Sequence, residues 1–186
     1  MALLPIRRYG DPILKKKAAP VDPRDPSLKT LLRDMQETMY HAAGVGLAAN
    51  QVGVLKQVAI IDVTGGEKPE SLIVLLNPEV LEKDGEAEEE EGCLSIPDLR
   101  APAKRASFCR VRAQGLDGKT FEVAGDGLLG KALQHETDHL YGILFVERLG
   151  LASRALLSGK LKTLKKETES ALKAGQGKKP ARTAAR

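Results

Sequence analysis

Two of the three histidines in this 186-residue chain stand four residues apart, in His135-Glu136-Thr137-Asp138-His139. Around them Leu128, Leu129, Ala132, Leu133 and Leu140 repeat with helical spacing, Asp126 stands where a cap belongs, and Gly142 stands where a helix stops. The pattern predicts a helix over about 127–140. Residues four apart on a helix differ by about 40° around its axis, so the two imidazoles converge on one point, with Glu136 on the edge of the same stripe. The polar stripe lies beside the apolar one and turns inward with it, where unpartnered polar groups are costly. Burial there without a metal or a partner would be hard to explain. Two imidazoles and a neighbouring carboxylate suit a divalent metal site with Glu136 as general base.

A catalytic site of this kind needs a third protein ligand. The HExxHxxGxxH pattern of metzincin proteases is excluded, because Gly142 is in place but Phe145 stands where the third histidine belongs. A zinc endopeptidase drawing on a downstream glutamate stays open through Glu147, Glu167 or Glu169, the last two in a lysine-rich stretch. Upstream, Glu91-Gly92-Cys93-Leu94-Ser95-Ile96-Pro97 offers a thiolate that completes a sulfur-and-two-nitrogen set and leaves a fourth position open. Cys109, in a strand-like run with Phe108 and Val111, reads as a buried thiol. Two cysteines without repeated spacing do not make a disulfide framework.

A third segment, Gly44-Val45-Gly46-Leu47-Ala48-Ala49-Asn50-Gln51, follows a predicted helix and precedes a predicted strand. Together with Glu91-Gly92-Cys93-Leu94-Ser95 and Gln134-His135-Glu136-Thr137-Asp138-His139-Leu140-Tyr141-Gly142, it resembles the three-motif set of the peptide deformylases, in the same order and over roughly residues 1–165. The resemblance implies hydrolysis of the N-formyl group from the formylmethionine of new polypeptides. It implies Cys93, His135 and His139 as ligands to one divalent metal, ferrous iron in the first place with zinc or nickel as substitutes. It implies Glu136 as the base, and Gln51 with the backbone N–H of Leu94 as oxyanion donors. Gly44 and Gly46 offer bare backbone to an extended N-formylmethionyl peptide. Val45, Leu128 and Ala132 resemble the lining of the methionine pocket, and Arg100 an arginine that helps hold the peptide. Lys131, just before Ala132, stands where some relatives carry an apolar residue. Asp138 and Arg105 form an expected pair behind the metal helix.

The coarse reading is α+β: a central helix bearing HExxH packed on antiparallel sheets, an N-terminal helix and a C-terminal basic helix. Asp25 caps and Pro26 opens a helix to about residue 43, with Leu28, Leu31, Leu32, Met35 and Met39 as its buried stripe. Strands are predicted at 57–63 and 72–76, and at 106–114 and 120–123 around a turn at Leu116-Asp117-Gly118-Lys119. Glu86 to Glu91 holds five glutamates in six positions and reads as a solvated strand or loop, Glu91 excepted. His41, near the end of the first helix, reads as structural.

The whole chain carries +4, yet residues 160–186 hold nine Lys or Arg against two Glu, a balance of +7 that leaves residues 1–159 near −3. A single catalytic domain over 1–172 is expected, ending in a basic helix at about 152–172 with Leu156, Leu157, Leu161, Leu164 and Leu172 spaced for packing. Gly175-Gln176-Gly177 is expected to break it before a disordered basic tail within 173–186. The basic segment makes ribosome contact a candidate. No apolar run approaches 18 residues, the first eight residues match neither a secretory signal nor a transit peptide, and a cytoplasmic protein without membrane or DNA partner is expected. From the residues alone three readings stand: the deformylase, the endopeptidase, and a non-catalytic basic RNA-binding protein with a structural metal.

Overall fold

A computed structural model describes residues 2–176. The first helix, α1, spans Ser27–His41. Strands β1 (Gly46–Ala48), β2 (Val58–Ile61), β3 (Ile73–Asp84), β6 (Phe108–Gln114) and β7 (Thr120–Asp126) make one antiparallel sheet in the order β1-β2-β3-β6-β7. β4 (Ala87–Cys93) and β5 (Ile96–Arg105) make a separate hairpin. Helix α2 spans Gly127–Leu140 and α3 spans Leu151–Gln176. The α+β architecture is the expected one.

β2 shows why the sheet is a middle layer. Its four residues, Val-Ala-Ile-Ile, are all buried. The period of two sends Val58 and Ile60 to α1, with Leu28, Leu32, Met35 and Met39. It sends Ala59 and Ile61 to α2, with Ala132, Leu133 and Leu140. A strand covered on both faces reads as a continuous apolar run, which is how 57–63 reads in sequence. A third cluster joins β5 to Phe145, Leu149, Leu157 and Leu161.

β3 is far longer than its predicted 72–76. Its buried residues, Leu75, Leu76 and Pro78, all lie in the first half. Asn77, at φ +51, interrupts the register, and its amide exchanges hydrogen bonds with the Val21 backbone at 2.8 Å each way. The second half is mostly exposed and pairs with β6 through the backbone ladder and through surface ion pairs such as Glu82 Oε2–Arg110 Nε at 3.1 Å, and so lacks the apolar signal. β5 has no sequence counterpart because Pro97 and Pro102 argue against a strand, which a two-stranded hairpin tolerates. The Glu88–Glu90 stretch is exposed strand and Glu91 is buried, as read.

Two expectations at helix ends need correction. Asp126 stands at the N-cap of α2 but its side chain makes no capping bond. α3 runs from 151 to at least 176 rather than 152–172, and no break appears at Gly175 and Gln176. A glycine costs a formed helix only about 1 kcal/mol. The expected tail beyond 176 lies outside the described residues. Leu156 is 83% exposed, because its neighbour Leu157 takes the inward position with Leu161 and Thr168. No helix among the described residues is long and apolar enough to cross a membrane.

Candidate metal centre

α2 ends in a tight C-terminal turn. Gly142, at φ +76, donates to the carbonyl of His139 at 2.9 Å, and Ile143 donates to that of Asp138 at 3.0 Å. This stop lets the chain turn away directly after the second histidine. Asn50 Nδ2 donates to the same His139 carbonyl at 2.5 Å, tying the first motif to the third.

Facing α2 is β4, whose alternate residues Glu89, Glu91 and Cys93 share one side. On the helix, Lys131, His135 and His139 recur every four residues. A strand advances about 6.6 Å in two residues and a helix 6 Å in four, so the two rows match rung by rung. Glu89 Oε2 meets Lys131 Nζ at 2.9 Å, Glu91 Oε1 meets His135 Nδ1 at 2.6 Å, and Cys93 Sγ meets His139 Nε2 at 3.2 Å. The two Nε2 atoms lie 3.1 Å apart, and the three ligand atoms fall within 4.8 Å of one another. Glu91 fixes the proton of His135 on Nδ1 and leaves the Nε2 lone pair pointing at Cys93 and His139. Three donor atoms gathered with their lone pairs inward fit a divalent metal. Phe145, absent from the ligand set, lies 6.4 Å from His135 in a stacked arrangement and closes that side of the imidazole.

Behind the centre lies a charge network. Arg105 contributes Nε and Nη2 to Glu91 at 3.0 and 2.7 Å and Nη1 to Asp138 at 2.5 Å. Arg148 grips Asp138 with two further bonds at 3.0 and 2.7 Å. Two carboxylates and two guanidiniums thus balance where unpaired charge would be costly. Burial pushes the Glu91 carboxyl up, but Arg105 and His135 overcome it and hold it at about 2. Asp138→Asn keeps the shape and removes the charge, and is expected to weaken metal retention about 10–100-fold. Equal metal off-rates for the two proteins, measured by chelator competition, would dismiss that role.

Burial pushes Glu136 up to about 7. Its residue is 4% exposed, and Oε2 is enclosed without a hydrogen-bond partner among the described residues. Gln51 is 1% exposed. Its Oε1 accepts from Ala48 N–H at 2.8 Å, which orients the amide, and its Nε2 lies 3.5 Å from Cys93 Sγ and 3.3 Å from Ser95 Oγ. The same side chain therefore satisfies loop backbone and presents N–H at the ligand cluster. Leu94 sits in the turn joining β4 to β5, next to Cys93.

The remaining residues fall less closely together. Ala132 and Leu128 lie on α2 one and two turns before His135, Ala132 buried and Leu128 46% exposed. Val45 is half-buried beside Gly46, and exposed Arg100 pairs with Gly92, one residue from Cys93. Gly44 and Gly46 face Leu94 and Glu136. Exposed His41 and buried Cys109 take no part in the centre. A hollow of about 550 Å³, lined by Lys83, Lys104, Arg105, Gln134 and Arg148 among others, contains none of the ligand residues. Asn50 and Ser95 had no assigned role in the sequence, since their contacts with His139 and Gln51 join positions far apart in the chain, and Arg148 reaches Asp138 only after the chain turns at the end of α2.

The model of the polypeptide deformylase family matches residues 3–155. The chain belongs to that family. Peptide deformylases from Acidobacterium capsulatum and Thermodesulfovibrio yellowstonii are 44% and 47% identical to it over 169 and 167 residues, covering 91% and 89% of this chain and 99% and 100% of theirs. The crystal structure of a peptide deformylase from Legionella pneumophila superposes with a TM-score of 0.81 at 43% identity, covering 96% of this chain and all of that one. Deformylase membership makes the chain a metal-dependent hydrolase that deformylates nascent peptides. The endopeptidase and the non-catalytic readings fall with it. The structure agrees for the first: Glu147 Oε1 is engaged by Lys15 at 2.5 Å and by the Leu144 N–H at 2.7 Å, away from the histidines.

Proposed function

We propose that Cys93 Sγ and the Nε2 atoms of His135 and His139 hold a ferrous ion, with zinc or nickel as substitutes, and that Glu136 and Gln51 carry the proton and charge traffic of deformylation. The observation that carries this reading is the cysteine sulfur and two imidazoles converging beside a buried carboxylate whose Oε2 has no partner among the described residues. The bound metal supplies Lewis acidity, polarising the formyl carbonyl and lowering the pKa of water towards 7.

Glu136 Oε2 takes the proton from the attacking water and delivers it to the leaving amine nitrogen. A carboxyl raised by burial is matched to both halves of that transfer, and the cation's charge draws it back towards the ionised form in which it acts as base. Gln51 Nε2 and the Leu94 N–H donate to the formyl oxygen as negative charge develops. An amide donor carries no charge to desolvate and keeps its proton at every working pH. Gln51→Ala is expected to lower kcat about 10²–10³-fold with a small change in KM. A loss seen only in KM would remove the oxyanion role.

The peptide lies in extended form along residues 44–46, with Val45, Leu128 and Ala132 receiving the methionine side chain and Arg100 contacting the chain beyond it. Metal identity is tested by anaerobic purification, metal analysis, and reloading of the chelated protein with Fe²⁺, Zn²⁺ or Ni²⁺. Iron in the purified protein and the highest turnover with iron are expected. Zinc in the purified protein, with no gain on iron loading, would reverse the assignment. A reducing cytoplasm suits both the thiolate and the ferrous state.

Exposed Arg154, Lys160, Lys162 and Lys166, spread around the solvent side of α3, support contact with ribosomal RNA. Leu161 and Thr168 of the same helix are buried against the domain, so charge reversal is a cleaner test than truncation. K160E/K162E/K166E is expected to abolish salt-sensitive co-pelleting with ribosomes while retaining deformylation. Unchanged pelleting would end the proposal.

A further inference from the structure

The two glycines of the first motif face protein at the metal centre. Neither Gly44 nor Gly46 has the positive φ that demands glycine, so their backbone conformation admits any residue. Space is what excludes a side chain. A Cβ on Gly44 would stand 2.7 Å from Leu94 Cδ1. A Cβ on Gly46 would stand 2.8 Å from Glu136 Cδ and 2.9 Å from its Cγ, and would collide with Oε1. Real Cβ atoms essentially never approach other atoms so closely.

Gly46 is held on both sides. It pairs with Ile61 across β1 and β2, and β1 packs beneath α2. The backbone therefore cannot retreat without breaking the sheet edge. Glu136 is enclosed as well, and its one flexible part is the carboxylate end.

We propose that Gly46 is a positioning residue for Glu136: the side chain it lacks is the seat in which the carboxylate rests, with Oε1 in the space a Cβ would take and Oε2 enclosed without a hydrogen-bond partner among the described residues. The inference rests on Glu136 acting as the base and adds what holds it there. Filling the seat pushes out the end of a flexible side chain, so it costs the fold little and moves the base. A displacement of about 1 Å in a reacting group is enough for about a 10²-fold loss of rate. A seat for the substrate strand would instead act through peptide binding.

The test is a double-mutant cycle of G46A and E136D on the metal-loaded enzyme, reading kcat, KM, metal content and melting temperature. E136D shortens the side chain by one methylene and vacates the volume that the new methyl needs. G46A alone is expected to lose about 10²-fold in kcat, with metal content and melting temperature nearly unchanged and any change in KM far smaller than the loss in kcat, since the peptide also runs past residue 46. Added to E136D, the same change is expected to cost less than about twofold. A loss confined to KM, or an equal kcat loss in both backgrounds, would overturn the proposal. Should G46A fail to fold, recovery of the fold in G46A/E136D supports the seat, and failure there too rejects it. Wild-type kcat in E136D alone would instead count against Glu136 as the base.

Discussion

Glu136→Gln should lower kcat about 10²–10⁴-fold while the protein keeps its fold and its metal. The substitution is nearly isosteric, and the enclosed Oε2 makes no hydrogen bond among the described residues that a neutral amide would forfeit. What disappears is the carboxylate proposed to take a proton at Oε2 and return it. Burial, the cause of the raised carboxyl, also ensures that bulk buffer cannot replace it. Steady-state turnover with metal analysis of the same sample checks this. A kcat within about threefold of wild type would mean that proton transfer runs through another group.

Cys93→Ala should strip the centre of metal altogether. Two imidazoles on one helix remain, and a pair of ligands holds a divalent ion far less well than three that leave a single open position. The loss is confined to the centre. Gln51 Nε2 keeps Ser95 Oγ, Glu91 keeps Arg105 and His135, and β4 still pairs with β5 from Ala87 to Gly92. The expected outcome is a folded protein with metal near background and no turnover with any of the three ions. Stoichiometric metal and retained activity would point to a ligand set without the thiolate.

The metal helix was legible because its apolar residues keep the helical period and Gly142 marks its stop; α2 covers the predicted 127–140. β2 was legible because both faces are apolar. The β4–β5 hairpin was not, since its outward face is acidic and its second strand carries two prolines. The two histidines stood out through their helical spacing, and Cys93 was singled out by the motif resemblance, since spacing alone left a downstream glutamate possible. The Glu91–Arg105–Asp138–Arg148 network was half visible: the Arg105–Asp138 pair was expected, while Arg148 is one of 29 basic residues and its partner is fixed only when the chain folds back. Gly46 shows the limit most clearly. A sequence displays a residue that lacks a side chain, and the fold alone displays Glu136 in the resulting space.

The most direct measurement is formate release from an N-formylmethionyl peptide, assayed anaerobically with ferrous iron, with zinc, and with a chelator. The expected result is metal-dependent formate, highest with iron, abolished by chelation, by C93A and by E136A. Stoichiometric metal on folded protein with no formate under any condition would contradict it.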